Sequence, residues 1–136
     1  MVAVRVHKRS IPRAVDKILT RIDHIKNGVV SRSKKAGIPC SLTLEQLREL
    51  VEASYGLPCR YCTKILTFHN FVLDHRVPMS KGGTSDLANL QLCCRTSNGV
   101  KGSLSEEHFL CLLAWLETQP EELRRDVTIR LARGVV

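Results

Sequence analysis

The sequence predicts an α+β, mostly helical fold, with a short β-hairpin and helix in the middle and further helices on either side. Three observations carry this. Apolar residues recur at helical spacing both before and after the middle of the chain. The middle breaks into short β-type runs and turn residues between two groups of cysteines, Cys59/Cys62 and Cys93/Cys94. Aromatic residues make up only 4% of the 136 residues, so the core is expected from Leu, Ile and Val on helices, not from an aromatic-rich sandwich. A chain this long is one domain's worth, read here as a basic N-terminal helical region over 1–57, a central unit over 58–102 and C-terminal helices over 103–136.

The residues up to Ile11-Pro12 are basic and read as a loose arm. From Arg13 to about Lys35, Val15, Ile18, Ile22, Ile25 and Val29 fall on one helical face. Lys17, Arg21, Lys26, Arg32, Lys34 and Lys35 fill the rest, a face suited either to DNA or simply to water. Gly28 weakens this helix by about 1 kcal/mol relative to Ala and is a candidate break. Thr43-Leu44-Glu45-Gln46 is a capping box, in which hydroxyl and amide side chains each satisfy a free amide at the start of a helix. Leu44, Leu47, Leu50 and Val51 give that helix a buried face, and Gly56 suits its left-handed end. Cys40 has no partner at metal-ligand spacing and reads as a small buried apolar residue.

Pro58-Cys59-Arg60-Tyr61-Cys62 forms a knuckle. Lys64 to Leu66 and Phe71 to Asp74 are expected as the two strands of a hairpin turning at Thr67–Asn70, with His69 exposed at the turn. The apolar run Phe71-Val72-Leu73 delivers Asp74 and His75; Pro78 ends regular structure and Gly82-Gly83 open a turn. Asp86 to Leu92 bring the chain back, and a short helix from about Cys94 to Lys101 carries Asn98. Ser103-Leu104-Ser105-Glu106 reads as a second capping box. It starts a helix with Phe109, Leu110, Leu112, Leu113 and Leu116 inward and with Cys111 and Trp115 in the core. Pro120 starts a last helix, with Glu121 and Glu122 early and Arg130 and Arg133 late, as the helix dipole favours.

The net charge of +8 attracts phosphate backbones, with a steep salt dependence through counterion release. No apolar run is long enough to span a bilayer, and the first residues carry no export signal. Six cysteines without such a signal favour metal ligation over disulfides and point to a cytoplasmic protein.

Asp74-His75, then Pro78, Gly82-Gly83, Asn89-Leu90 and Asn98, set between cysteine knuckles, resembles the HNH endonuclease family over about Cys59 to Gly102. The resemblance implies a ββα-metal core, a hairpin and helix gripping one divalent ion, and metal-dependent hydrolysis of DNA phosphodiesters. It implies His75 as general base and Asp74 as carboxylate ligand of a catalytic Mg²⁺, Mn²⁺ or other divalent ion. Asn98 becomes the second ligand and Asn89 the residue that braces the loop behind His75. These residue types suit that chemistry. A near-neutral imidazole deprotonates water, and a hard cation takes oxygen donors while leaving positions for water and phosphate. Asp74 and His75, as strand neighbours, reach one phosphate only if the strand ends or bends there. Arg76, Lys81, Arg95 and Lys101 are the candidate phosphate contacts.

Members with knuckles carry Cys-x-x-Cys twice. Here the second unit reads Cys94-Arg95-Thr96-Ser97, with serine at the fourth position. A hydroxyl is a poor zinc ligand. Three arrangements stay open: Cys93 completes a structural Zn²⁺ site, or Cys59, Cys62 and Cys94 hold the ion with water, or the cysteines pack without metal. Other readings are a non-catalytic zinc-ribbon DNA-binding module, and an accessory subunit of a DNA-packaging machine. The latter follows from small phage members of the family that act with terminase. A single site implies nicking of one strand at a time.

Overall fold

The computed structural model describes residues 13–134; the basic arm up to Pro12 lies outside them. Helix α1 spans Arg13–Ala36 without interruption at Gly28. Ile22 and Val29 are fully buried, and Ile18 and Ile25 pack beside them. Helix α2 spans Leu44–Ser54. Its capping box is complete: the Gln46 amide donates to Thr43 Oγ1 at 3.1 Å and the Thr43 amide to Gln46 Oε1 at 3.0 Å. Leu47 and Val51 face the core, and Gly56 follows the helix with φ +79°. Cys40 is half-buried, bridging to Ser85 across a parallel backbone contact.

The hairpin differs from the expected one. Lys64–Leu66 does not pair forward with Phe71–Asp74. It folds back on the knuckle, with Cys59 N donating to Lys64 O at 2.8 Å and Leu66 N to Leu57 O at 2.9 Å. Strand β1, Phe71–His75, instead pairs antiparallel with β2, Leu90–Cys94, with Phe71 opposite Cys94, Asp74 opposite Gln91 and His75 opposite Leu90. The cause is the Thr67–Asn70 turn. Asn70 Oδ1 accepts from Thr67 N at 2.9 Å and its amide donates to Ile65 O at 2.9 Å, so the turn closes on the knuckle and sends the next strand elsewhere. All five residues of β2 are buried. Its one polar side chain, Gln91, is buried against Asp74, so polar and apolar residues do not sort β2 into a wet and a dry face.

Helix α3, Arg95–Lys101, follows β2 directly. Helix α4, Glu106–Glu117, is capped by Ser105, whose hydroxyl accepts from His108 N at 3.3 Å, rather than by Ser103. Phe109 and Leu116, seven residues apart, form its buried stripe. Cys111 and Trp115 point away from that stripe by helix geometry, and both are exposed, Trp115 by 48%, contrary to expectation. Helix α5, Glu121–Ala132, lies against α3 and buries none of its residues fully.

The core joins α1, α2, both strands, α3 and α4 through Ile22, Val29, Leu47, Phe71, Leu90, Val100 and Phe109. Burying a side chain of this size stabilises by about 1.5–3 kcal/mol. Four of the six aromatics gather in or against it: Phe68 lies 5.7 Å from Phe71, and Tyr61 lies edge-on 4.8 Å from Phe109. Among the described residues no helix is long and apolar enough to cross a membrane.

Candidate active site and cysteine corner

Strand β1 is pinned at its start. Phe71 is 1% exposed, and Arg21 of α1 lies 4.8 Å over its ring and donates to its carbonyl at 2.8 Å. The strand ends at His75, and there Asp74, His75 and Asn98 of α3 line one cleft of about 300 Å³, together with Arg32 of α1, Met79 and Lys101. That the strand stops at His75 is what lets two sequence neighbours serve one cleft.

Asp74 is buried, and three side chains hold its carboxylate. Lys101 Nζ donates to Oδ1 at 3.1 Å, Gln91 Nε2 donates to Oδ2 at 3.1 Å, and the Tyr61 hydroxyl donates to Oδ2 at 3.3 Å. Gln91 can do this because the strand register places it opposite Asp74. It also donates to the Tyr61 hydroxyl. Burial and the neighbouring Asp74 charge push the Tyr61 phenol far above its ordinary range, so it remains a neutral donor. Lys101 is 1% exposed and gives a second bond to His75 O at 2.9 Å. Expected to touch phosphate, Lys101 is instead a buried counter-ion, since a buried ammonium needs a carboxylate and a carbonyl to offset its lost hydration. Arg76 is likewise engaged within the protein, donating to both carboxylate oxygens of Glu106 at 2.9 and 3.0 Å. Arg95 and Lys81 stay exposed.

His75 Nε2 lies 2.8 Å from Ser85 Oγ, and Ser85 Oγ lies 2.6 Å from Ser33 Oγ of α1. Burial, with the positive charges of Arg32 and Lys101, holds the imidazole pKa below its ordinary 6.5 against the pull of Asp74. His75 is therefore neutral at neutral pH, the form a base requires. Behind it, the Asn89 side chain spans the loop: Oδ1 accepts from Val77 N at 2.9 Å, and Nδ2 donates to Val77 O at 3.0 Å and Thr84 O at 2.8 Å. Gly83 sits in this bracket. A Cβ there would come within 1.7 Å of Val77 O, so no larger residue fits.

The donors in the cleft fit a hard cation of modest affinity. Asp74 Oδ1 accepts one hydrogen bond and keeps a second lone pair, and Asn98 adds a neutral amide at the same cleft. Phosphate and water would complete the shell.

At the other end of the hairpin the Sγ atoms of Cys59, Cys62 and Cys94 lie within 4.8 Å of one another, Cys62 and Cys94 at 3.6 Å. Thiolates on a tetrahedral zinc at bond lengths of about 2.3 Å stand about 3.8 Å apart, so the trio is spaced to hold such a metal. Burial opposes a Cys59 thiolate, but the Cys94 and Tyr61 amides, donating to its sulfur at 3.3 and 3.5 Å, outweigh it and lower its pKa. Ser97 Oγ lies 3.2 Å from Cys94 Sγ. Cys93 stands outside the trio. Its side chain alternates to the other face of β2, and burial raises its thiol pKa well beyond the ordinary range. Of the three arrangements left open by the sequence, the one using Cys93 does not match this geometry.

Sequence reasoning missed Ser33, Ser85, Tyr61 and Gln91. One signal existed. The buried stripe of α1 steps through Ile22, Ile25 and Val29 to position 33, where a serine stands at a core position.

Residues 59–111 match the family described as HNH endonuclease. No curated protein matches the chain. The matched segment holds the cysteine corner, both strands, α3 and the start of α4, and over that segment the chain is similar to HNH endonucleases.

Proposed function

We propose that the protein is a metal-dependent DNA endonuclease that nicks one strand at a time, with His75 as general base. The observation that carries this is the convergence of Asp74, His75 and Asn98 on one cleft, inside a segment of the HNH family. His75 takes the proton of the attacking water at its free ring nitrogen. Asp74 and Asn98 would hold the divalent ion, which when bound neutralises charge on the phosphoryl oxygens and on the leaving 3′ oxygen. Lys101 and Tyr61 hold the Asp74 carboxylate in place, and Asn89 fixes the loop that carries the Ser85 partner of His75.

The DNA strand has a path. A second cleft of about 460 Å³ adjoins the first, sharing Arg32, Leu73 and Asn98 with it. It is lined by Arg21, His24, Arg32 and Arg95, and no carboxylate is among its described lining residues. Such a groove matches phosphates next to the scissile one and reads charge rather than base sequence, so binding is weakly specific and falls steeply with salt. The Cys59–Cys62–Cys94 corner is a structural zinc site, holding the knuckle against the start of α3.

Incubating supercoiled plasmid with the protein tests this reading. Open circles are expected with Mg²⁺ or Mn²⁺ and none with EDTA. Metal-independent nicking, or inertness with every divalent ion despite DNA binding, contradicts it.

A further inference from the structure

We propose that Ser85 and Ser33 are positioning residues that hold His75 in the tautomer protonated at Nε2, leaving Nδ1 as the nitrogen that accepts the proton of water. This rests on the reading of His75 as the base.

Both serines are completely buried, so each hydroxyl must find its partners within the protein. They form a short chain: His75 Nε2 to Ser85 Oγ at 2.8 Å, then Ser85 Oγ to Ser33 Oγ at 2.6 Å. Beyond them lies the Met79 thioether, 3.8 Å from Ser33 Oγ and 3.9 Å from Ser85 Oγ, a weak acceptor. Each hydroxyl has one proton, so Ser85 either accepts from Nε2 or donates to it. In the first case Nε2–H donates to Ser85, one hydroxyl proton lies between the two serines and the other turns to the Met79 sulfur. In the second, Ser33 donates to Ser85 and Ser85 donates to Nε2, which places the ring proton on Nδ1 and leaves the imidazole no lone pair for water.

Only the first direction serves both states of the reaction. Once His75 has taken a proton at Nδ1, its Nε2–H must still donate, and Ser85 is already turned to accept. The second would require the Ser85 hydroxyl to turn away from Nε2 during turnover. A chain fixed in advance avoids that reorganisation. The geometry is also held from outside. Ser85 N donates to Pro39 O at 2.8 Å, and Ser33 is part of the 24-residue helix α1. Helix α1 lies outside residues 59–111, so the base is aimed by a helix that the family segment does not contain.

Long-range ¹⁵N–¹H spectra of His75, recorded without metal at a pH where the ring is neutral, read the tautomer directly. Wild type is expected to show a pyridine-type Nδ1 and a pyrrole-type Nε2. Ser85→Ala is expected to show averaging between tautomers, and about a tenfold or greater loss of kcat with KM little changed. Ser33→Ala, which places a good helix former in α1, is expected to shift the same resonances less. Protonation at Nδ1 in wild type, or spectra unchanged in both variants, would overturn the proposal. A loss appearing in KM alone would also count against it. Because the spectra need no turnover, they separate this proposal from the nuclease reading: full cleavage by His75→Ala would sink the latter while leaving the tautomer answer intact.

Discussion

The cysteine corner and the histidine cleft sit at opposite ends of the same two strands, yet they are built differently. The corner is local. Cys59, Cys62, Cys94 and Ser97 all lie within the family segment, and the sulfur of Cys59 is cradled by amides two and thirty-five residues away in that segment. The cleft is assembled from outside as well. Ser33 and Arg32 come from α1, and the Asp74 carboxylate is held by side chains from the knuckle, from β2 and from α3. A metal can organise a corner by itself, because ligand bonds replace packing. His75 ligates no ion in this account, and a cation of modest affinity orients Asp74 only while bound, so their orientation must come from buried hydrogen bonds, which depend on more of the chain.

This contrast is open to direct attack. The largest effect is expected on the cleft side. Lys101→Met removes one partner of a buried ion pair and leaves Asp74 without its counter-charge. It should lower stability by about 3–5 kcal/mol in denaturant unfolding. A loss below about 1 kcal/mol would mean that the pair is more hydrated than its burial indicates. The corner should answer to metal instead. Protein purified with zinc should carry about one equivalent, and Cys62→Ser should carry much less. At zinc a hundredfold above its Kd the wild type should gain about 2.7 kcal/mol over the chelated form. The cleft of zinc-free protein should retain the same His75 spectrum if Tyr61 and Glu106, which link the two regions, do not carry a change from one to the other.

One carboxylate ties the two regions together. Glu106, at the start of α4, accepts from Arg60 of the knuckle at 3.0 Å and from Arg76 beyond the cleft at 2.9 Å. Burial would raise its pKa, but hydrogen bonds from Arg60 and Arg76 and their charges hold it below the ordinary 4.5. A depressed folded pKa means the contribution is fully present above about pH 4.5 and is lost as pH falls through the lower folded value. Glu106→Gln should therefore cost about 1 kcal/mol at neutral pH, and the gap to wild type should close on acidification. A gap constant with pH would show that packing, not charge, is lost. The smallest effect should come from Trp115→Ala. That ring is half-exposed, so stability should change by about 0.5 kcal/mol or less.

The corner is legible in the sequence through Cys59-x-x-Cys62, whose short spacing is that of metal ligands, while only the fold picks Cys94, thirty-two residues on, over Cys93. So are α1, α2 and the capping box at Thr43, whose signals are periodic or local. The pairing of β1 with β2 is not, because β2 is buried on both faces, its polar Gln91 included, while Asn70 turns Lys64–Leu66 back onto the knuckle by side-chain bonds that no propensity encodes. Asp74, His75, Asn89 and Asn98 stand out as a motif, but their supports do not. Gln91 matters only through the strand register and Ser85 only through the fold of the loop. Lys101 and Arg76 look like phosphate contacts because sequence shows charge and not burial. Ser33 alone leaves a trace, a polar residue on an otherwise apolar stripe.

The decisive measurement sets DNA binding beside DNA cleavage for wild type and His75→Ala, with Mg²⁺ and with EDTA, after circular dichroism shows equal folding. Equal binding, with metal-dependent nicking lowered about 10²–10⁴-fold in the variant, is the expected result. Equal nicking by both proteins would contradict the assignment of His75 as the base and, with it, the reading of the cleft as the catalytic site.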